Sequence, residues 1–177
     1  CLFKIKKDLI NISKKRIFNM HLGFLPYQRG AGVNSWQFLT DIKFSAATIH
    51  EVNKDFDKGD IISQRMIKLA NFINQKKFYQ TARSAEKRSI EDFFERLIIK
   101  KYKFKKKKQL NDKSIYMPRL DTNIHSYIDW RWDAMNIVKF IKAFDSPFGK
   151  ARTFINTNKK LCLISEASYY KEKINFH

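Results

Sequence analysis

Cysteine is scarce: Cys1 and Cys162 are the whole supply. That excludes a disulfide framework and any cysteine-based metal spacing, so a reducing, cytoplasmic setting is expected. Long apolar runs are missing as well. No stretch approaches the roughly 18 to 20 residues that span a bilayer, and no secretory leader pattern is present. Without such a leader the Asn11-Ile12-Ser13 sequon carries no weight. The opening at Cys1 rather than Met leads to the expectation of a fragment. No Cys/His cluster suggests a metal, the glycine-rich phosphate loop is absent, and no internal repeat is found.

Acidic side chains are few beside basic ones: 17 Asp and Glu against 36 Lys and Arg, a formal net charge of +19. Such a charge suits a polyanion, either tRNA or a nucleotide diphosphate. Specific phosphate clamps favour Arg for its rigid fork of donors, whereas here Lys dominates and Ile, Asn and Phe are abundant. Compositional bias is the preferred reading, and the Lys101–Lys108 run reads as a solvated helix end. What remains is globular, with 44% hydrophobic and 15% aromatic residues in 177. That length buries an ordinary core and leaves room for a second small module.

The informative stretch runs from Ile17 to Ile62. Apolar residues leading into Asn19-Met20-His21 read as a buried strand that turns polar where it leaves the core of an open α/β sheet. Residues two apart share a face of a strand, so Asn19 and His21 point the same way. An amide beside an imidazole suits a developing oxyanion. Asp57 comes in from a tight turn with Gly59 at its bend, and amide, imidazole and carboxylate together suggest acyl transfer. Taken alone, Asn19 and His21 read equally as a satisfied strand-end pair. His50 is expected to face solvent or a neighbour rather than the chemistry, while His125 and His177 belong to no constellation.

Lys4–Ser13 reads as a surface helix, and Gly32–Leu39 as a loop entering a short helix. Ser45–Val52 and Asp60–Leu69 read as strands flanking the Asp57-Lys58-Gly59-Asp60 turn. Gly30 and Gly32 permit close approach of backbone in the crevice. Ile90, Phe93, Phe94, Leu97 and Ile98 fall at helical spacing as an apolar stripe packing on the sheet. Gln109–His125 reads as an extended linker. Asp133 is the expected N-cap of a helix carrying Ile137, Phe140, Ile141 and Phe144, stopped by Pro147. Ala151–Ile155 and Leu161–Ser165 read as a β-hairpin joined through residues 156–160.

Three motifs in order, Asn19-Met20-His21, Leu25-Pro26-x-x-Arg29-Gly30 and Asp57-x-Gly59-Asp60-Ile61, resemble the signature of the folate-dependent formyltransferase family. Tyr127-Ile128-Asp129-Trp130 and Ala143–Phe148 resemble that family's junction between its catalytic domain and a small C-terminal domain. The resemblance implies a partial Rossmann-like α/β domain, a mixed sheet with flanking helices, followed by a linker and a small β-rich domain. The boundaries it suggests are 1–110, 111–132 and 133–177.

It further implies N10-formyltetrahydrofolate as formyl donor and Asn19, His21 and Asp57 as catalytic residues. Asp57 would favour an imidazolium at His21 and accept the amine proton; His21 would return one to the folate nitrogen. Leu25, Pro26, Gly59 and Asp60 are the candidates for the donor, and Arg29, Gly30, Asn34 and Trp36 for the acceptor. The Asn34-Ser35-Trp36 pattern is similar to enzymes that formylate nucleotide-linked amino sugars, and lacks the Ala-Pro-Ile type sequence of methionyl-tRNA formyltransferases. A nucleotide-linked amino sugar is therefore the expected acceptor. Methionyl-tRNA formylation, formyltetrahydrofolate hydrolysis and a silent basic binding module are the alternatives, and a homo-oligomer stays open.

Overall fold

The structure, a computed structural model, describes residues 5–13, 17–40, 42–69, 74–99, 104–110, 112–145, 149–155 and 160–170. Pro147, residues 156–159 of the expected hairpin connection, Cys1, His177 and part of the lysine run lie outside the described residues.

Helix α1 (Lys7–Ile12) precedes strand β1 (Phe18–Leu22), and helix α2 (Val33–Leu39) follows the loop after it. Strands β2 (Phe44–Glu51) and β3 (Ile61–Lys68) flank the Asp57 turn, and the long helix α3 (Gln75–Ile99) comes next. The order β1-β2-β3 forms one sheet. Both of its pairings are antiparallel, with Asn19 opposite His50 and Met20 opposite Ile49. Among the described residues the named strands pair only antiparallel, so the parallel part of the expected mixed, Rossmann-like sheet is not seen in them. The α/β character itself holds.

Strand alternation divides the sheet into two faces. Phe18, Met20, Ile49 and Ile62 cluster with Phe93 and Leu97 of α3. Lower on the same helix, Phe78 and Ala82 pack with Ile67 and Leu22. Gln75, Phe78, Ala82, Ser89 and Phe93 are the buried helix positions, spaced for one face. The anticipated stripe is therefore half right, because Ile90, Phe94 and Ile98 sit on the exposed flank. The opposite sheet face carries Asn19, His21, Thr48 and His50 towards the loop after β1. Thr48 Oγ1 donates to Gly23 O at 2.7 Å, and Gln64 Nε2 to Leu25 O at 2.9 Å, so that loop is tied down on the sheet.

The stretch expected as a linker is extended but stitched in place. Ile115 N–H donates to Tyr27 O and Met117 N–H to Arg29 O, at 3.3 and 2.7 Å. The short helix α4 (Thr122–His125) interrupts it, its first turn accepted by the Asp121 side chain. Helix α5 (Ala134–Ala143) starts at Asp133, whose carboxylate takes Asn136 N–H at 2.9 Å, as expected of an N-cap. Strands β4 (Ala151–Ile155) and β5 (Lys160–Ile164) pair as the anticipated hairpin. The core of this end, Ile128, Phe140, Ile141, Ala143, Phe144 and Ala151, also takes in Phe38, Leu39 and Leu120. Helix α2 thus joins the two ends of the chain through shared apolar packing. No helix among the described residues is long and apolar enough to cross a membrane.

Phe78 is fully buried and meets Phe38 edge-on at a centroid distance of 6.2 Å. Truncating Phe78→Ala should cost about 3 to 5 kcal/mol of stability, the range for large aromatic deletions in a core. Denaturant unfolding checks this; a loss below about 1 kcal/mol would mean that α3 is not packed on the sheet as described.

Candidate active site

Asp57 lies at the turn between β2 and β3 with φ of 53°, in the left-handed region that a non-glycine residue rarely occupies. Gly59 follows because nothing larger fits: a Cβ there would fall 1.7 Å from Glu51 O. The turn aims the Asp57 carboxylate at the polar face of β1 and β2. Oδ2 accepts the Gly30 N–H at 2.9 Å and lies 3.6 Å from His21 Nδ1. Oδ1 lies 3.4 Å from His50 Nε2. The structure therefore brings Asn19, His21, Gly30 and Asp57 together, and adds His50.

His50 corrects an expectation. It is 2% exposed, and its Nε2 also lies 3.1 Å from Asn19 Nδ2. Antiparallel pairing is the reason: Asn19 and His50 are direct partners, and a bulge between Ile49 and His50 re-aims the ring. The seven-residue step from His50 to Asp57, closed by a tight turn, was the only trace of this in the sequence. Nδ1 of His50 donates to Glu51 O at 2.8 Å in the neutral tautomer, which leaves Nε2 to take the Asn19 N–H.

His21 Nε2 donates to Gln28 O at 2.6 Å, with Nδ1 towards Asp57. Gln28 is itself pinned, accepting from Phe24 N–H and donating to Phe44 O, each at 2.7 Å. Burial holds the His21 pKa below its ordinary value and outweighs the pull of Asp57 in the other direction. Burial thus works against the imidazolium that Asp57 favours. For Asp57 burial acts upward, but the His50 and His21 rings and the Gly30 N–H together hold it down at about 2. The carboxylate is ionised throughout the physiological range.

The remaining candidates divide. Arg29 is 2% exposed, and both Nε and Nη2 donate to Gln109 Oε1, so it is a buried strut rather than a group facing the cleft. Leu25 is buried in the loop core, and the Leu25–Pro26 peptide is cis. Gly59 and Asp60 line a cavity of about 400 Å³ beside α1, together with Asp55 and Lys7. Asn34 lines a larger one, about 880 Å³, with Gly32, Arg119, Asp121, Phe144 and Arg152. Its Nδ2 donates to Tyr79 OH, whose pKa burial raises, while its buried Oδ1 has no partner among the described residues. Trp36 spends its indole N–H on Pro118 O at 2.8 Å and stands outside that cavity lining. No group of three or more His, Cys, Asp or Glu among the described residues is arranged to hold a metal ion.

An amide and two imidazoles on one sheet face, met by an ionised carboxylate from the β2–β3 turn, are group types that suit acyl transfer, here on an α/β frame. Residues 3–93, about half of the chain, match the family model described as formyl transferase. The chain belongs to the formyl transferase family. Over 172 residues it is 27% identical to the bifunctional polymyxin resistance protein ArnA of Wigglesworthia glossinidia brevipalpis, covering 97% of this chain and 25% of that protein. It is 28% identical over 176 residues to the methionyl-tRNA formyltransferase of Clostridium beijerinckii, covering 97% of this chain and 53% of that one. The fold is similar to that of the Helicobacter canadensis N-formyltransferase solved with folinic acid and dTDP-3-aminofucose. That likeness has a TM-score of 0.64 at 24% identity, over 80% of this chain and 57% of the other. The chain therefore spans between about a quarter and about half of the length of these relatives.

Both shifted groups make the protein less stable in acid. With a folded pKa below the ordinary 6.5, His21 contributes stability that is complete above that value and falls as pH drops below it. Asp57 adds a second loss as pH falls from 3.8 towards about 2. Denaturant unfolding across pH should show a first decline below about pH 6.5 that flattens in His21→Gln. An equal slope in parent and variant would contradict the lowered His21 pKa.

Proposed function

We propose that this protein transfers a formyl group from N10-formyltetrahydrofolate to the amine of a nucleotide-linked amino sugar. The observation that carries the reading is the ionised Asp57 between His21 and His50 on the face that also presents Asn19. A folate donor is supported by the family and by the folinic acid in the Helicobacter canadensis relative. The donor enters the cavity lined by Gly59 and Asp60, and the acceptor enters the larger one lined by Asn34. Asp57 lines neither cavity, but its turn includes Gly59 of the first, and its carboxylate accepts from Gly30, next in sequence to Ala31 of the second. Arg119 and Arg152 in that wall suit the diphosphate of an activated sugar, since guanidinium groups match phosphate geometry.

The amine attacks the formyl carbon, a carbon–nitrogen bond forms, and the tetrahedral oxygen becomes negative. Asn19 donates to that oxygen through its amide. The amine gives up one proton and the folate N10 receives one as its bond to carbon breaks. His21 carries it between them through Nδ1, the nitrogen not bonded to Gln28 O: burial favours release of the proton, while Asp57 beside Nδ1 stabilises the transient charge. A carboxylate held at about 2 is a poor resting place for a proton and a good partner for a cation. This assigns Asp57 to stabilising charge rather than to terminal base catalysis. The chemistry belongs to the cytoplasm, where reduced folates and activated sugars meet.

A second reading, formylation of methionyl-tRNA, is favoured by the net charge of +19 and by the Clostridium beijerinckii relative. Incubating the protein with N10-formyltetrahydrofolate, a pool of nucleotide-linked amino sugars and charged initiator tRNA separates the readings by mass spectrometry. A formyl mass on a sugar is the expected result; on the tRNA it would transfer the assignment, and formate release alone would indicate hydrolysis. Asn19→Ala should lower kcat about 100- to 1000-fold with little change in acceptor KM, because the oxyanion exists only in the transition state. Steady-state kinetics with an unchanged kcat would remove Asn19 from the chemistry.

A further inference from the structure

Gln109 stands outside every motif of the site, yet its amide bonds both the turn that bears Asp57 and Arg29 in the loop after β1. Its Oε1 accepts from Arg29 Nε at 3.1 Å and Nη2 at 2.9 Å. Its Nε2 donates to Asp57 O at 2.9 Å and to Gly59 O at 2.6 Å. The partners decide the orientation of the amide, because a guanidinium only donates and a carbonyl only accepts. Gln109 is 8% exposed and Arg29 2%. A buried network in which every donor and acceptor is satisfied holds its parts rigidly.

What this network holds is the backbone on either side of Lys58. Asp57 sits at φ 53°, a conformation that costs an L-residue about 1 to 2 kcal/mol and persists only where its surroundings impose it. Relaxation of that dihedral would swing the side chain away from Gly30 N–H, His21 and His50. The other end of the network is equally well placed. Arg29 immediately precedes Gly30, whose N–H holds the same carboxylate, so one glutamine couples the two loops that meet at it. Gln109 is itself anchored on both sides. Lys107 exchanges two 2.9 Å backbone hydrogen bonds with Ile61, and Ile115 and Met117 bond to Tyr27 and Arg29.

We propose that Gln109 and Arg29 are positioning residues for formyl transfer, which lock the Asp57 turn and act through the carboxylate without touching donor or acceptor. The kinetic consequence rests on the formyl-transfer reading; the clamp itself does not. Arg29 thus changes from a candidate contact of the acceptor to the buried cation of the clamp.

Gln109→Glu is nearly isosteric and keeps a partner for Arg29, but offers no N–H to the two carbonyls; Gln109→Met removes both ends. Each should keep the parent's circular dichroism, lose about 100-fold in kcat, the penalty typical of a displaced catalytic group, and leave acceptor KM within about threefold. The acid limb of the kcat–pH profile should move upward as Asp57 loses its partners, and the Gly30 amide proton should shift upfield in proton–nitrogen spectra. Arg29→Lys retains one donor towards Oε1 and should lose only about tenfold, an intermediate loss for a partly kept network. Folded Gln109 variants with the parent's kcat, pH profile and Gly30 resonance would overturn the proposal. Where neither Gln109 variant folds, Arg29→Lys decides: an unchanged Gly30 amide and kcat overturn it, a partial shift supports it. An inactive parent counts against formyl transfer alone, and the Gly30 shift in the variants then decides the clamp.

Discussion

The Asp57 carboxylate is the point on which this architecture converges. It is nearly buried, and burial by itself would drive it towards the protonated form. It stays ionised because a backbone N–H and two imidazoles face it. Each of these arrives from a different element: Gly30 from the loop after β1, His21 from β1, and His50 from β2. The turn that carries Asp57 adopts a left-handed residue followed by a glycine with no room for a side chain. Remove any one of those contributions and the cost of a buried charge is no longer offset.

The sheet makes such convergence cheap in chain length. Antiparallel pairing puts Asn19 against His50 and leaves His21 one pleat further on, so consecutive strands deliver amide and imidazoles to one face. The opposite face binds α3 through Phe18, Met20, Ile49, Ile62 and Phe93. Polar and apolar faces are thus coupled through the same backbone, and a shift in register would exchange them. The loop after β1 adds a second layer, with Gln28 and Thr48 holding the backbone that accepts from His21 and supplies the Gly30 N–H. Helix α2 leaves that loop to pack on α5, so the larger cavity is walled by both ends of the chain.

Much of this was legible in the residues. The strand at Asn19-Met20-His21, the helix after Gly32, the flanks of the Asp57 turn and the Asp133 cap all followed from alternation, glycine placement and capping chemistry. Those are local signals, and they survive folding. The antiparallel order of these three strands was left open by the sequence, because strands ending in polar residues read the same in either arrangement. His50 was passed over for the same reason, since only the pairing register puts it beside Asn19. The lowered pKa of His21 depends on a balance between burial and Asp57, and no spacing reveals that balance. Arg29 looked like a cleft residue because its partner, Gln109, lies 80 positions away in sequence. Ile90 and Phe94 obeyed helical periodicity and still ended exposed, as periodicity gives a face without saying how wide the covering sheet is.

The central claim is that Asp57 is held as a carboxylate by His21, His50 and Gly30, and the most direct measurement is a carbon-13 titration of its carboxyl group. The account predicts a single midpoint near 2, well below the ordinary 3.8. It also predicts that the His21 and His50 ring nitrogens and the Gly30 amide respond at that same midpoint. A carboxyl titrating at or above 3.8, with those resonances unmoved, would contradict the account, because the group would then be neither held down nor in contact with the rings.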